Sequence, residues 1–137
     1  MAGELSPEHV SVAIGFAVAN AVTNQADTDL ARPGGNTIAV MQKPGSIVGV
    51  SVNATADLTA GSVTFEVHKD GTEYAVASAP VLTLSDTVQE SYASVRRGAL
   101  TFAAGEGIGV SYSSTTDAAP TNTNDYDALL FVTFDND

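Results

Sequence analysis

Cysteine and tryptophan are both absent from this 137-residue chain. Without thiols, disulfides and thiolate metal centres are excluded. Histidine is nearly as scarce: His9 and His68 are the only two, too few for a histidine-rich metal cluster. Basic residues are limited to Arg32, Lys43, Lys69, Arg96 and Arg97 against 16 acids, leaving a formal net charge of -11. Such a field repels phosphate backbones and anionic bilayers, so neither nucleic acid nor a membrane is an expected partner. Its ordinary consequence is solubility. An acid-rich, lysine-poor surface also suits a high-salt medium, where the repulsion is screened. The apolar run at 10–22 is too short to span a bilayer and follows Glu4 and Glu8 instead of a positive cluster, so no export or membrane segment is read. Catalytic constellations are missing as well. No nucleophile elbow occurs, neither histidine is placed to orient a serine, and nothing groups two carboxylates in an apolar pocket. The expectation is a protein that is not an enzyme and carries no cofactor.

What the chain does have is alternation. With 44% hydrophobic residues it can build a two-layer core, and its length suits one domain. The stretch Leu100–Tyr112 (LTFAAGEGIGVSY) organises the reading. Leu100 and Phe102 alternate with small or polar neighbours, Gly105 and Gly107 break the run, and Ile108, Val110 and Tyr112 resume it. The pattern predicts a β-hairpin at a sheet corner. It is not a phosphate-binding loop, because no helix-forming run or Lys-Ser/Thr pair follows.

Around it the other strands fall into place. Residues 1–9 form a polar arm, and the domain is expected over 10–137. Val10, Val12, Ile14, Phe16, Val18 and Val22 give the first strand a bulky face, while Ala13, Gly15, Ala17 and Ala19 give it a small one. A helix is the alternative here, given the alanines and the cap-like Ser6-Pro7-Glu8. Residues 23–36 read as a loop. Thr37–Gln42 places Ile38 and Val40 on one face. Ser46–Ala54 is expected to point Val48, Val50 and Val52 inward and Gly49, Ser51 and Asn53 outward. Val63, Phe65 and Val67 alternate with Thr64, Glu66 and His68, which puts His68 on the solvated face. Asp70-Gly71 is a hairpin turn, and Glu73–Ser78 returns with Tyr74 and Val76. Val81–Leu84 follows Pro80, and 85–94 is an edge strand or a loop. Arg96-Arg97 reads as a solvated strand end, with an anion clamp as the sharper alternative. Residues 113–125 form an exposed loop whose Asp117, Asn122, Asn124 and Asp125, with Asp127, are oxygen donors matching no EF-hand spacing. Tyr126–Phe134 is apolar enough for a central strand buried on both faces. Eight or nine strands with no firm helix predict an all-β, antiparallel sandwich of jelly-roll type.

A resemblance sharpens this. Val48-x-Val50-x-Val52, Gly61-x-Val63-x-Phe65-x-Val67 and Asp70-Gly71 resemble the trimeric jelly rolls of the C1q and tumour-necrosis-factor-like class. Phe102–Val110 looks like the hairpin before their last strand, and Leu129, Phe131, Thr133 and Phe134 fit that closing strand approximately. The likeness spans roughly 37–134. It implies a homotrimer, and small jelly rolls of this sort resemble the capsid decoration (cement) proteins of tailed phages and archaeal tailed viruses. A tail-fibre head that binds a receptor or carbohydrate is the alternative; the short stretch before the first strand favours decoration. The implied partner is the major capsid protein. The implied location is the outer capsid surface of a virion, after synthesis in the host cytoplasm. On this reading Glu4, Leu5, Ser6, Pro7, Glu8 and His9 contact the capsid. Ala13, Gly15, Ala17, Ala19, Leu129 and Phe131 lie between protomers.

Overall fold

A computed structural model describes residues 11–135, and every regular element in that span is a strand. There are eleven: β1 (Val12–Val18), β2 (Thr28–Asp29), β3 (Ala39–Val40), β4 (Gly45–Ala54), β5 (Val63–Lys69), β6 (Thr72–Glu73), β7 (Val81–Leu84), β8 (Glu90–Ser94), β9 (Leu100–Phe102), β10 (Gly107–Ser114) and β11 (Tyr126–Phe134). They occupy eight lanes. β2 and β3 pair with opposite ends of β10, β6 and β7 with opposite ends of β5, and β8 and β9 with opposite ends of β4. One sheet therefore runs β1, β11, β4, β8/β9, and the other β2/β3, β10, β5, β6/β7. All pairings are antiparallel. Along the chain the lanes change sheet at every connection except the turn from β5 to β6. That is the jelly-roll course expected from the sequence.

Packing between the two sheets follows from the two-residue period of a strand. Phe16, Ile47, Val50, Val52, Leu100, Ala128, Leu130 and Val132 from one sheet face Val63, Phe65, Val67, Leu82, Leu84, Ile108, Val110 and Tyr112 from the other, all of them buried. Phe65 and Tyr112 meet Tyr126 across the gap, edge-on, with centroids 5.5 and 5.6 Å away. Burial pushes the Tyr126 hydroxyl up, with Tyr112 adding to the shift. Tyr74 closes one end of the sandwich, its hydroxyl donating to the Thr101 carbonyl at 2.8 Å. Burial, then the charges of Glu106 and Asp70, push that hydroxyl up to about 12.

Several expectations need correcting. Leu100–Phe102 does not form a hairpin with Gly107–Ser114: β9 pairs with β4, and the turn at 103–106 carries the chain into the other sheet. Gly105 takes φ 89° there. Glu106 Oε1 accepts the Ala103 N–H at 2.6 Å, and Met41 bonds both Gly105 and Glu106. The turn is thereby tied to the neighbouring lane. Val48 is not inward either. Gly49 pairs with Phe131 and Ile47 with Val132, leaving Val48 as the extra residue of a bulge that turns Ile47 into the core. Ile38 and Val40 face outward, and Ala39 and Met41 are buried in their place. The first strand stops at Val18, short of Val22, which is exposed, and Val12 at its start is exposed as well. β6 is two residues long, so Val76 lies beyond it and is exposed. Asp70-Gly71 does form its hairpin, with φ of 51° and 83°.

Candidate interface on the outer face of the β1–β8 sheet

Because β1, β11, β4 and β8 pair in register, their outward side chains form a grid. Across the lanes the rows read Ala17, Asp127, Asn53, Glu90; then Gly15, Leu129, Ser51, Tyr92; then Ala13, Phe131, Gly49, Ser94. Adjacent lanes lie about 4.8 Å apart. Small residues on β1 and β4 leave Leu129 and Phe131 standing between them, and a Cβ on Gly15 would touch Leu129 at 3.7 Å. Leu129 is 40% exposed and Tyr92 79%. The first two rows floor a groove of about 1090 Å³, walled on one side by Ala31, Arg32 and Pro33 and on the other by Glu90, Ser91 and Tyr92.

Of the six residues expected between protomers, Ala13, Gly15, Ala17, Leu129 and Phe131 share this face. Ala19 lies past the end of β1 on the groove's rim. β11 is correspondingly not buried on both faces: Tyr126, Ala128, Leu130 and Val132 are inside, whereas Asp127 and Leu129 are open. Sequence reasoning missed Tyr92, which sits in a polar stretch with no strong alternation. Its signal was the two-residue spacing between Glu90, Tyr92 and Ser94. The expected capsid-contact residues Glu4 to His9 lie outside the described residues.

The opposite outer face carries charge. His68, expected in solvent, is 2% exposed. Its ring lies over Gly109, where any Cβ would stand 2.5 Å from Cε1 and 2.7 Å from the Thr37 carbonyl. The missing side chain of Gly109 is what lets the imidazole lie flat on the sheet. Nε2 approaches Asp29 Oδ1 at 3.2 Å without the alignment of a hydrogen bond. Beside it Asp27, Glu66 and Glu73 bring carboxylate oxygens within 4.8 Å of one another, the only such group among the described residues. Asp27 is steadied by the Ser111 hydroxyl at 2.6 Å. Burial, then Glu73 and Asp27, raise the Glu66 carboxyl. A raised folded-state value means that this group favours folding while protonated and that the contribution is lost as pH rises through it. Glu66→Gln should therefore raise the melting temperature at neutral pH by a degree or two, on the order of half a kcal/mol after solvent screening. The advantage should vanish as pH falls through the carboxylate range. Paired melts at pH 7 and pH 4 check this; equal gains at both would refute it.

The loop donors named above do not assemble. Asn124 is fully buried and spends its amide on β4's exit, Oδ1 accepting from Thr55 Oγ1 and the Ala56 N–H and Nδ2 donating to the Ala56 carbonyl. Asp125 accepts the Asn20 N–H at 2.9 Å. Arg96 and Arg97 are exposed in the turn between β8 and β9, with Arg97 3.6 Å from Asp135, as a solvated strand end requires.

No protein-family model matches the chain, and neither does any curated protein. Solved structures do. A chain of the cyanophage Pam1 capsid asymmetric unit aligns with TM-score 0.53 at 13% identity, covering 98% of this chain and 94% of that one. This chain shares its fold with phage capsid structures. A second, from the acidic stable capsid structure of Helicobacter pylori bacteriophage KHP30, aligns with TM-score 0.50 at 15% identity over 90% and 87% of the two chains. At such identities the jelly-roll course is what is held in common.

Proposed function

We propose that the protein is a structural component of a virion, a decoration protein that binds the outer capsid surface as a homotrimer and stabilises the shell. The observation that carries this reading is a jelly roll shared end to end with phage capsid chains that also presents an open, largely apolar face. Outward-facing Leu129, Phe131 and Tyr92, the first and last of them exposed, mark a surface meant to be covered on an otherwise acidic molecule. The proposed occupants are two further copies, meeting over the faces that carry Ala13, Gly15, Ala17, Leu129 and Phe131, with Ala19 at the rim. The partner beneath the trimer is the major capsid protein, contacted by the arm that includes Glu4, Leu5, Ser6, Pro7, Glu8 and His9. Three linked arms bind by effective concentration even when each contact is weak.

The test is reconstitution. Purified protein should co-sediment with capsids that lack it and raise their melting temperature, and deletion of residues 2–9 should lower occupancy at least tenfold. Unchanged occupancy would remove the arm from the contact. A second reading, a receptor- or carbohydrate-binding head, rests on Tyr92: an exposed aromatic beside Asn53, Glu90 and Asp127 is a set that can stack on and hydrogen-bond a sugar ring. Binding to host cells or glycans without any to capsids would select that reading.

A further inference from the structure

We infer that the free edge of β1 pairs with the same edge of a second copy, joining two sheets across a two-fold axis at Ile14. The phase of the strand fixes which groups are available. Ala17 directs its N–H and its carbonyl away from β11 to Ala31, at 2.7 and 2.9 Å. Its pair with Asp127 is thus one of the non-hydrogen-bonded pairs of the β1–β11 ladder. By the two-residue period Gly15 and Ala13 also turn their N–H and carbonyl groups to that edge. Among the described residues nothing accepts them, since β1 pairs only with β11 and the bridge to Ala31 ends at Ala17.

Three further observations say what completes the edge. First, β1 is the one unbroken outer lane among the described residues. The lanes β2/β3, β6/β7 and β8/β9 are all interrupted, and interruption is how sheets blunt their edges. Second, β1 (VAIGFAV) carries no charge and no proline in a chain of net charge -11. Two such molecules can approach along this strand without setting acid against acid, so a copy of the chain suits it better than a cationic partner would. Third, the pairing is self-complementary. With Ile14 opposite Ile14 of the other copy, Ala13 and Gly15 fall opposite the other copy's Gly15 and Ala13, and all four exchange their free groups. Val12, 47% exposed at the end of the bulky face, then comes to lie against the other copy's Phe16. Ala31 limits the new ladder to the five residues 12–16. The contact uses main chain at an edge and leaves the outer face, with Leu129 and Tyr92, open to other copies. A three-fold contact through that face and a two-fold contact through this edge together propagate a net over a shell.

The chain's lack of cysteine makes the test direct. In the full-length protein Ile14→Cys places two thiols opposite each other in a non-hydrogen-bonded pair of the new ladder, at a spacing that suits a disulfide. Under a copper-phenanthroline oxidant it should become a covalent dimer at least tenfold faster than Val12→Cys, although position 12 is the more exposed. Adding Ala13→Pro to Ile14→Cys deletes one N–H from each copy, two of the new ladder in all, and none of the β1–β11 ladder, so cross-linking should fall at least tenfold. Melting curves of the reduced variants establish that each is folded. Adding Leu129→Arg should leave the cross-link intact, which separates this contact from the proposed trimer. Cross-linking of Ile14→Cys no faster than of Val12→Cys, or undiminished by Ala13→Pro, would overturn the two-fold contact.

Discussion

Leu129→Arg should abolish the proposed trimer, leaving only monomers and β1-edge dimers by light scattering at micromolar concentration. Leu129 stands at the centre of the open grid, between Gly15 and Ser51, and its outward side chain contributes nothing to the core of its own subunit. Covering the 40% of its surface that is exposed contributes about 1 kcal/mol. A guanidinium in its place adds the cost of burying a charge. A loss of about 3 kcal/mol weakens each contact roughly 150-fold. Tyr92→Arg should act in the same direction, because Tyr92 shares the Leu129 row. Val81→Arg is the control: Val81 is 56% exposed but belongs to the other sheet, and its variant should keep the parental mass. The thermal transition of Leu129→Arg should remain cooperative. An unchanged mass for Leu129→Arg, or dissociation by Val81→Arg as well, would remove this face from the assembly.

Asn124→Ala should be the most damaging of the loop substitutions, costing about 3 kcal/mol and lowering the melting temperature by roughly 10 °C. The side chain is fully buried, and three hydrogen bonds join it to Thr55 and Ala56 where β4 leaves its sheet. Truncation leaves the Ala56 N–H and carbonyl, part-buried in these bonds, without those partners, and empties the buried site of the amide itself. Asn124→Asp separates this account from simple loss of packing. The carboxylate keeps the acceptor for Thr55 and the Ala56 N–H but sets an oxygen against the Ala56 carbonyl, so it too should destabilise. A variant with Asp as stable as the parent would show that the donor bond contributes nothing. Asp117→Ala, in the same loop but exposed, should melt within a degree of the parent.

The alternation of apolar residues was enough to read the jelly roll, because inward positions on β5, β7, β10 and β11 keep one phase from end to end. It misplaced what depends on a neighbour in space. Val48 looks inward until β11 is laid beside it, when the bulge gives the position to Ile47. Ile38 and Val40 outrank Ala39 and Met41 in bulk, yet so short an edge piece buries whichever residues the adjacent lane admits. His68 has the right parity for solvent, and only the bare backbone at Gly109 explains why it is covered. The hairpin at 100–112 failed because period and turn residues are the same whether a corner stays within a sheet or crosses between two. Of the candidate face, the β1 and β11 residues were legible as small and apolar positions in excess of one core. Tyr92 was not, because its neighbours on β8 are polar and only pairing with Ser51 brings it into the Leu129 row.

The order in which the lanes alternate between sheets also bears on how the chain finds its structure. Among the described residues the turn at Asp70-Gly71 is the single connection between lanes that pair with each other, so a ladder can begin there without closing a long loop. β1 must wait for β11, whose first residue lies more than a hundred positions away, and β4 must wait for both β8 and β11. Chains organised in this way fold in milliseconds to seconds, well behind helical bundles of similar size. While β11 is undocked, the uncharged β1 has no ladder at all. In that interval the net charge of -11 acts as a kinetic guard, holding unfinished chains apart until the last lane closes.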